Sequence, residues 1–441
     1  MKNLLLFTGI IAFILVSSFT FIGCIDEPAE NLSPWDLRRA EIKTIMQDNS
    51  YGQWRSGEKV SYTLDGTKLT VKVSHNKKDV EFNAVVELPS TAPPADGFPV
   101  IFAFGALDGA DFFGSKGNPR QYSLEKGYAN ISVPTGPVAE DSGSRTGAFY
   151  TLYPYTSSKP ETQTGVLMAW AWGASKVLDA LVAGAAKELN INANNTIITG
   201  TSRNGKAAAV AGAFEERFKI TVPVSSGAGG AAIYRYPSNG QTYDLSGYYE
   251  YNGGGSWTVD ANNPQSLSSV KGDSDGGWFI NKFRTFAKPE ALPFDQHFLL
   301  ALCAAPDRYL FMVNGFEWDK WTNPPGFFYA FELTKPVFEY LGVPQNIAVS
   351  MHRSRHGLEQ EDMVKLIKYA NYVFYGIKDL NFDYAETSKP KPTTWLKFME
   401  ELHTTPFSAS VSPSNNATYE AAKPVLPPDI QFIIREESEM N

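Results

Sequence analysis

The sequence TIITGTSRNGK, which runs from Thr196 to Lys206, decides the fold class. Its first four residues are all β-branched and predict a short buried strand that ends at Gly200. Small, helix-tolerant residues follow in the run AAAVA (207–211), so the pattern predicts a strand, a sharp turn carrying Ser202, and a helix. Such a turn, a nucleophile elbow, lifts the serine hydroxyl out of a sheet and places it near backbone N–H groups at a helix N-terminus.

The spacing of the turn departs from the usual G-x-S-x-G pattern, because its second glycine is Gly205, three residues after the serine. Taken alone, the turn is equally compatible with an ordinary serine between a strand and a helix. The apolar run Phe98–Gly105 predicts a strand covered on both faces, and Gly105 begins a loop that could supply an oxyanion donor. Helical periodicity over 165–181 adds the alternation of helix and strand that is typical of a mostly parallel sheet. We therefore predict an α/β-hydrolase fold, a three-layer sandwich with a mostly parallel, twisted central sheet.

The composition argues against a nucleic-acid partner. The 441-residue chain has 39 basic and 47 acidic residues, a net charge of −8, and no basic run. We expect a monomer whose only membrane contact is an N-terminal anchor.

The amino-terminal segment predicts export. Lys2 precedes an apolar stretch that ends in FIGC at Cys24, so residues 1–24 read as a signal peptide with a lipobox-like end and Cys24 as the lipid anchor. A lipid-anchored bacterial cell-envelope protein is expected, with a periplasmic or secreted protein as the alternative. Residues 25–36 follow as a polar linker.

The remaining chain is predicted to form one catalytic domain, 37–405. It carries a Gly-, Ser- and Asn-rich surface insertion at 236–275. A Ser-, Pro- and Asn-rich tail, 406–441, completes the chain.

The elbow sequence GTSRNGK (200–206) resembles the G-C-S-R-x-G-K signature of the glucuronoyl esterases, carbohydrate esterase family fifteen. Segments 144–153 and 169–175 are similar to the bacterial members, and the resemblance covers roughly Arg38 to Gly376. It implies a serine esterase that cleaves 4-O-methyl-glucuronoyl esters between glucuronoxylan and lignin alcohols. The reaction would pass through an acyl-enzyme and need no metal or cofactor.

One departure from the family concerns the acid of the triad. Fungal members carry a glutamate where this chain has Ser225, and a serine cannot balance the charge of an imidazolium. Bacterial members without that glutamate show a D-x-W pattern after a later strand, which Asp319 and Trp321 match. Asp319 is thus the expected acid, and Glu317 stays open as the alternative.

The general base is one of five histidines. His75 precedes the elbow, His297 precedes the strand before the acid, and His403 lies beyond the last regular helix. His352 is close to a strand end, whereas His356 lies in the following loop, where an α/β hydrolase places its base. The order Ser202, Asp319, His356 then matches nucleophile, acid and base along the chain.

The resemblance also implies roles in substrate binding. Arg203 would help to stabilise the oxyanion, and Lys206 would bind sugar hydroxyls one helical turn after Ser202. Trp321 would stack on the glucuronate ring, and Gln265 is a further candidate for a hydroxyl contact.

Two other functions compete with this interpretation. An acetyl xylan esterase, or another carbohydrate esterase on the same scaffold, is disfavoured because deacetylation does not need Arg203 and Lys206 as a uronate clamp. A non-catalytic glycan-binding lipoprotein, in which the triad decayed when Ser225 replaced the glutamate, is disfavoured because Ser202 and His356 are retained.

Overall fold

The computed structural model describes the following parts of the chain: residues 33–105, 107, 117–235, 242–244, 256–258, 266–271, 277–315, 319–352, 356–377, 408–411 and 415–418. The predicted signal peptide with Cys24, most of the predicted 236–275 insertion and most of the 406–441 tail lie outside these residues. The candidate site residues Gln265 and Glu317 also lie outside them.

In the main sheet, strands alternate with helices from the fourth strand onward. The strands of the described residues are β1 Lys59–Asp65, β2 Lys68–His75, β3 Lys78–Glu87, β4 Phe98–Phe104, β5 Ala129–Val133, β6 Ile191–Thr201, β7 Ile220–Val224, β8 Thr242–Asp244, β9 Ser256–Thr258, β10 Tyr309–Gly315, β11 Ile347–His352, β12 Ser408–Val411 and β13 Asn415–Thr418. The helices are α1 Pro34–Met46, α2 Pro119–Glu125, α3 Ala148–Leu152, α4 Val166–Ala180, α5 Ala186–Glu188, α6 Arg203–Phe214, α7 Leu267–Val270, α8 Asn281–Thr285, α9 Gln296–Ala301, α10 Pro324–Tyr340 and α11 Gln360–Tyr375.

The main sheet of the described residues has nine strands in the order β1-β2-β3-β5-β4-β6-β7-β10-β11. The pairs β5/β4, β4/β6, β6/β7, β7/β10 and β10/β11 are parallel. Strands β1, β2 and β3 are antiparallel to their neighbours and extend one edge. Because the carboxyl ends of parallel strands share one edge, the loops after β4, β6, β7, β10 and β11 meet there.

Two separate hydrophobic cores show that the sheet is covered on both faces. Successive residues of β4 alternate between them: Val100 and Phe102 belong to one core, and Ile101 and Ala103 to the other. The first core contains the buried residues of α4 and α6, and the second contains those of α11. The predicted three-layer α/β architecture is therefore confirmed.

Two helices differ from what the sequence predicts. Helix α1 begins at Pro34, inside the predicted 25–36 linker, because Ser33 caps it with a reciprocal side-chain and backbone pair to Asp36. Helix α4 continues through a π-helical turn into α5, and the span Val166–Glu188 is apolar enough to cross a membrane. Since 83% of its most apolar window is buried inside the fold, it is a core helix of this domain.

Candidate active site

The turn between β6 and α6 has the strained backbone of a nucleophile elbow. Ser202 adopts φ 63° and ψ −127°, a region that non-glycine residues rarely visit. Its N–H donates to the carbonyl of Val224 on the neighbouring strand at 3.0 Å, which holds the turn against the sheet. Strain of this kind persists only when the surrounding structure enforces it, and it is common at functional sites.

Close packing explains why the second glycine stands at 205. A Cβ atom on Gly200 would lie 2.5 Å from the carbonyl oxygen of Asn204. A Cβ atom on Gly205 would lie 2.4 Å from the carbonyl oxygen of Val224. Both distances are too short for any side chain, so Gly200 lets the start of α6 pack against the end of β6, and Gly205 lets α6 approach β7. The elbow therefore keeps its geometry despite its unusual spacing.

The predicted base and acid are in direct contact. The Nδ1 atom of His356 lies 2.7 Å from Oδ1 of Asp319, and both side chains are buried. Since a carboxylate only accepts, Nδ1 carries the proton, and Nε2 is left as the nitrogen that can take a proton from a hydroxyl. The two residues come from loops after adjacent parallel strands, β10 and β11, which explains their proximity.

The carboxylate of Asp319 is only partly satisfied by the described residues. Its second oxygen, Oδ2, is buried and has no hydrogen-bond partner among them. Unpaired buried oxygens are uncommon and call for a physical reason. A buried carboxylate whose one bond is to an imidazole can stabilise the positive charge that a general base acquires.

Two contacts place His356 near the elbow. A Cβ atom on Gly357, the next residue, would lie 4.0 Å from the side chain of Thr201, which precedes Ser202. The ring of Trp321 packs on the imidazole of His356, with the two ring centroids 4.6 Å apart. The structure thus brings the predicted base, the acid and Trp321 to the edge of the sheet where Ser202 lies.

Ser225 occupies the end of β7, where the fungal pattern places its acid. Its backbone is strained (φ 44°), its N–H donates to the Val313 carbonyl at 2.8 Å, and its side chain is fully buried. The hydroxyl has no hydrogen-bond partner in the part of the chain that the structure describes. In these residues the histidine is paired with Asp319, one strand further along the sheet.

The second histidine of this segment, His352, has a different environment. It is the last residue of β11, and its Nε2 lies 3.1 Å from the carbonyl oxygen of Gly357 and 3.5 Å from Oδ2 of Asp362. Asp362 also accepts from the hydroxyl of Ser350 and from the backbone N–H of Glu359. His352 and Asp362 therefore tie together the two ends of the loop that carries His356.

Arg203, the residue after the serine, is held by two side chains that the sequence did not indicate. Its Nη1 donates to Oδ2 of Asp141 at 2.6 Å, and its guanidinium lies over the ring of Trp278 at 5.4 Å from the centroid. The indole N–H of Trp278 donates to Oδ1 of the same carboxylate at 2.8 Å. Asp141 and Trp278 were missed because they lie 62 and 75 residues from Arg203 in the chain, with no spacing pattern that links them.

Lys206 is fully buried. Its ammonium donates to the carbonyls of Ser226 and Ala228 at 2.5 and 2.6 Å and lies 5.4 Å from the centroid of the Trp278 ring. The lysine thus fixes the loop that follows β7, beneath the elbow. Its contact with sugar hydroxyls stays a prediction, as do the roles of Gln265, Glu317 and Cys24 outside the described residues.

Within the described ranges, a metal site would require a cluster of several ligating side chains. No group of three or more His, Cys, Asp or Glu side chains there could hold an ion.

Comparisons with known proteins place these features in a family. A family model described as "Glucuronyl esterase, fungi" matches residues 71–342. The chain is 39% identical over 379 residues to a multidomain esterase of Ruminococcus flavefaciens, which covers 83% of the chain and 47% of that protein. The chain therefore spans about half the length of this relative. It is also 31% identical to a 4-O-methyl-glucuronoyl methylesterase of Schizophyllum commune, over 78% of the chain and 76% of that protein.

Solved structures share the fold. A carbohydrate esterase family 15 glucuronoyl esterase from Caldicellulosiruptor kristjansonii superposes with a TM-score of 0.71 at 38% identity, covering 82% of this chain and 91% of that one. A serine-to-alanine variant of the Sporotrichum thermophile glucuronoyl esterase, solved with methyl 4-O-methyl-β-D-glucopyranuronate, superposes with a TM-score of 0.61 at 26% identity. That match covers 80% of this chain and 88% of the other. These similarities confirm the predicted α/β-hydrolase fold.

Proposed function

Because the chain belongs to the glucuronyl esterase family, carbohydrate esterase family 15, we propose that it is a serine esterase that hydrolyses 4-O-methyl-glucuronoyl esters. The observation that carries this proposal is the 2.7 Å contact between His356 and Asp319 beside the strained turn of Ser202. The three residues follow the chain order of an α/β hydrolase.

The reaction then proceeds through an acyl-enzyme. The hydroxyl of Ser202 gives its proton to Nε2 of His356 and attacks the ester carbonyl carbon. The alcohol leaves with the proton that His356 returns. A water molecule, deprotonated by the same nitrogen, then attacks the acyl-enzyme, and His356 returns that proton to the serine oxygen as the uronate is released. Asp319 holds the imidazole in the required tautomer and balances its charge. Its burial and its bond to Nδ1 support this role.

The oxyanion and the sugar need further donors. Arg203, next to the serine, would supply guanidinium N–H groups to the tetrahedral oxyanion together with backbone N–H groups at the start of α6. Trp321, in contact with His356, would stack on the sugar ring, and Lys206 and Gln265 would bind its hydroxyls.

The natural substrate that we propose is the ester between glucuronoxylan and a lignin alcohol. Relatives of this chain are named 4-O-methyl-glucuronoyl methylesterases, which supports a glucuronoyl ester as the substrate. The lipobox-like FIGC sequence supports export and anchoring through Cys24, which would give the enzyme access to a polymer outside the cytoplasm.

The test measures kcat/KM for benzyl D-glucuronate, with acetylated xylan as the competing substrate. We expect turnover of the uronate ester and a loss of about 10⁴-fold or more in kcat for Ser202→Ala. The fold should survive in that variant, as measured by its melting temperature. Release of acetate from xylan without turnover of the uronate ester would contradict the proposal and favour a deacetylase on the same scaffold.

A further inference from the structure

The carboxylate of Asp141 and the indole of Trp278, which we call the holder, contact the guanidinium of Arg203 beside the elbow. We propose that Asp141 and Trp278 are positioning residues that fix the guanidinium of Arg203 for its work on the oxyanion. The inference rests on the proposed function of Arg203. It extends that function to two residues that are distant from Ser202 in the sequence and do not belong to the triad.

The contacts around Arg203 define its orientation from two directions. Oδ2 of Asp141 accepts from Nη1 at 2.6 Å, and the face of the Trp278 ring lies 5.4 Å from the guanidinium carbon. The indole N–H of Trp278 donates to Oδ1 of Asp141, so each of the three side chains contacts the other two. Each of the three side chains therefore restrains the other two.

The holder itself is rigid because the backbone around Trp278 is clamped. Arg145 donates to the carbonyls of Gly277 and Phe279, the two neighbours of Trp278, at 2.5 and 2.9 Å. A Cβ atom on Gly277 would lie 1.8 Å from the carbonyl oxygen of Ser142, so the Trp278 segment packs directly on the residue after Asp141. The Trp278 side chain is buried, which leaves it little freedom to move.

A restraint matters here because the arginine is otherwise free to rotate. Its side chain is 51% exposed, and a long exposed side chain loses about 2 kcal/mol of rotamer entropy when it is fixed. The Asp141 bond occupies one of its five N–H donors, and no other described residue accepts from the guanidinium. The remaining donors stay available to an oxyanion, while the orientation of the planar group is already set.

The same indole also faces the second cation of the elbow helix. The ammonium of Lys206 lies 5.4 Å from the Trp278 ring centroid, the same distance as the Arg203 guanidinium. Trp278 thus lies against both cations that the elbow helix presents near the serine. A change in this ring is expected to alter Arg203 first, because Lys206 is fixed independently by two backbone carbonyls.

The decisive experiment is a double-mutant cycle. The kinetic parameters kcat and KM are measured on benzyl D-glucuronate for the wild type, Asp141→Asn, Arg203→Ala and the double variant. We expect Asp141→Asn to lower kcat about tenfold with little change in KM, and to have no further effect once Arg203 is absent. A loss that persists undiminished in the Arg203→Ala background, or wild-type kcat in Asp141→Asn, would overturn the proposal.

Matched variants separate positioning from general damage. Asp307→Asn removes an exposed carboxylate that pairs with Lys219 elsewhere, and Trp172→Phe removes an indole bond to the Glu58 carboxylate. We expect both to keep wild-type kcat, whereas Trp278→Phe, which keeps a ring but loses the N–H, lowers kcat severalfold. Equal losses of kcat in Trp172→Phe and Trp278→Phe would contradict a specific role.

A second ester keeps this proposal separate from the proposed function. The cycle is repeated with p-nitrophenyl acetate, whose hydrolysis needs the same oxyanion but no sugar contact. Turnover of p-nitrophenyl acetate but not of the uronate ester would reject the uronate substrate. In that case, non-additive effects of Asp141→Asn and Arg203→Ala on acetate hydrolysis would still support the positioning role. Additive effects on every ester that is turned over would reject the positioning role whatever the substrate.

Discussion

Two clusters in this protein each combine an indole, a carboxylate and a cationic side chain, but they differ in their exposure to solvent. At the elbow, Trp278 donates to one oxygen of Asp141 and Arg203 to the other, at 2.8 and 2.6 Å. Next to the antiparallel edge of the sheet, the indole of Trp172 donates to one oxygen of Glu58, and the ammonium of Lys176 to the other, at 2.7 and 3.0 Å. We call these the elbow cluster and the edge cluster.

The difference lies in exposure and in unused donors. The side chain of Arg203, the cation of the elbow cluster, is 51% exposed, whereas the side chains of Lys176 and Glu58 in the edge cluster are 5% and 0% exposed. Glu58 also accepts from the hydroxyl of Tyr153, and Lys176 has a second partner in Asp179. A saturated, buried cluster can only hold the fold together, whereas an exposed cation beside a strained serine can still meet a substrate.

The largest effect that separates the clusters is expected from the cation of the elbow cluster. Arg203→Ala should lower kcat on benzyl D-glucuronate by about 10²- to 10³-fold, because one oxyanion donor is lost. The melting temperature should change little, since the residue is half exposed. Wild-type kcat in this variant would remove the functional distinction between the two clusters.

The edge cluster should respond in stability instead of activity. Glu58→Gln replaces a buried charged acceptor of three donors, and we expect it to lower the free energy of unfolding by about 2 kcal/mol. The loss stays below that of a fully orphaned charge because Lys176 keeps Asp179. Thermal unfolding measures the change, and kcat should stay at the wild-type value. A fall in kcat with an unchanged free energy of unfolding would instead assign the edge cluster to catalysis and contradict this prediction.

The pH dependence of this variant follows from the same contacts. Burial alone would raise the pKa of Glu58, but the charge of Lys176 and the hydrogen bonds from Tyr153 and Trp172 outweigh it and lower the pKa. A lowered pKa contributes stability that is complete above the unfolded value, about 4.3, and is lost as the pH falls through the folded value. The difference in stability between wild type and Glu58→Gln should therefore be full at pH 7 and shrink below about pH 4.3.

The smallest effect is expected from the histidine that supports the base. His352→Ala removes the bond to the Gly357 carbonyl, so the loop of His356 loses one restraint, and kcat should fall about tenfold. His352→Asn, which keeps a donor, should recover part of the loss. A loss as large as that of Ser202→Ala would instead indicate that His352 is the general base.

Local patterns in the sequence predict much of the fold and part of the site. The elbow is a short-range feature, since β-branched residues, two glycines and small helical residues encode strand, turn and helix within sixteen positions (196–211). Chain order places the acid and the base in loops after neighbouring parallel strands, which meet at one edge, and the family resemblance selects Asp319 and His356 within those loops. Chain order leaves Glu317 open, and within the described residues the carboxylate that contacts the imidazole is that of Asp319.

Other features depend on contacts that no local pattern encodes. A lysine on the first turn of a helix normally projects into solvent, yet Lys206 is buried because the loop after β7 turns its carbonyls back onto the ammonium. The Asp141 and Trp278 pair depends on two loops brought together from 137 residues apart. The clamp from Arg145 that fixes those loops has the same long-range origin.

The most direct test concerns the acid of the triad. The value of kcat/KM on benzyl D-glucuronate is measured for the wild type, Asp319→Ala and Glu317→Ala, with melting temperatures to confirm folding. We predict turnover by the wild type, a loss of about 10³-fold or more in Asp319→Ala, and near wild-type activity in Glu317→Ala. Full activity in Asp319→Ala, or a loss confined to Glu317→Ala, would contradict the site that we propose.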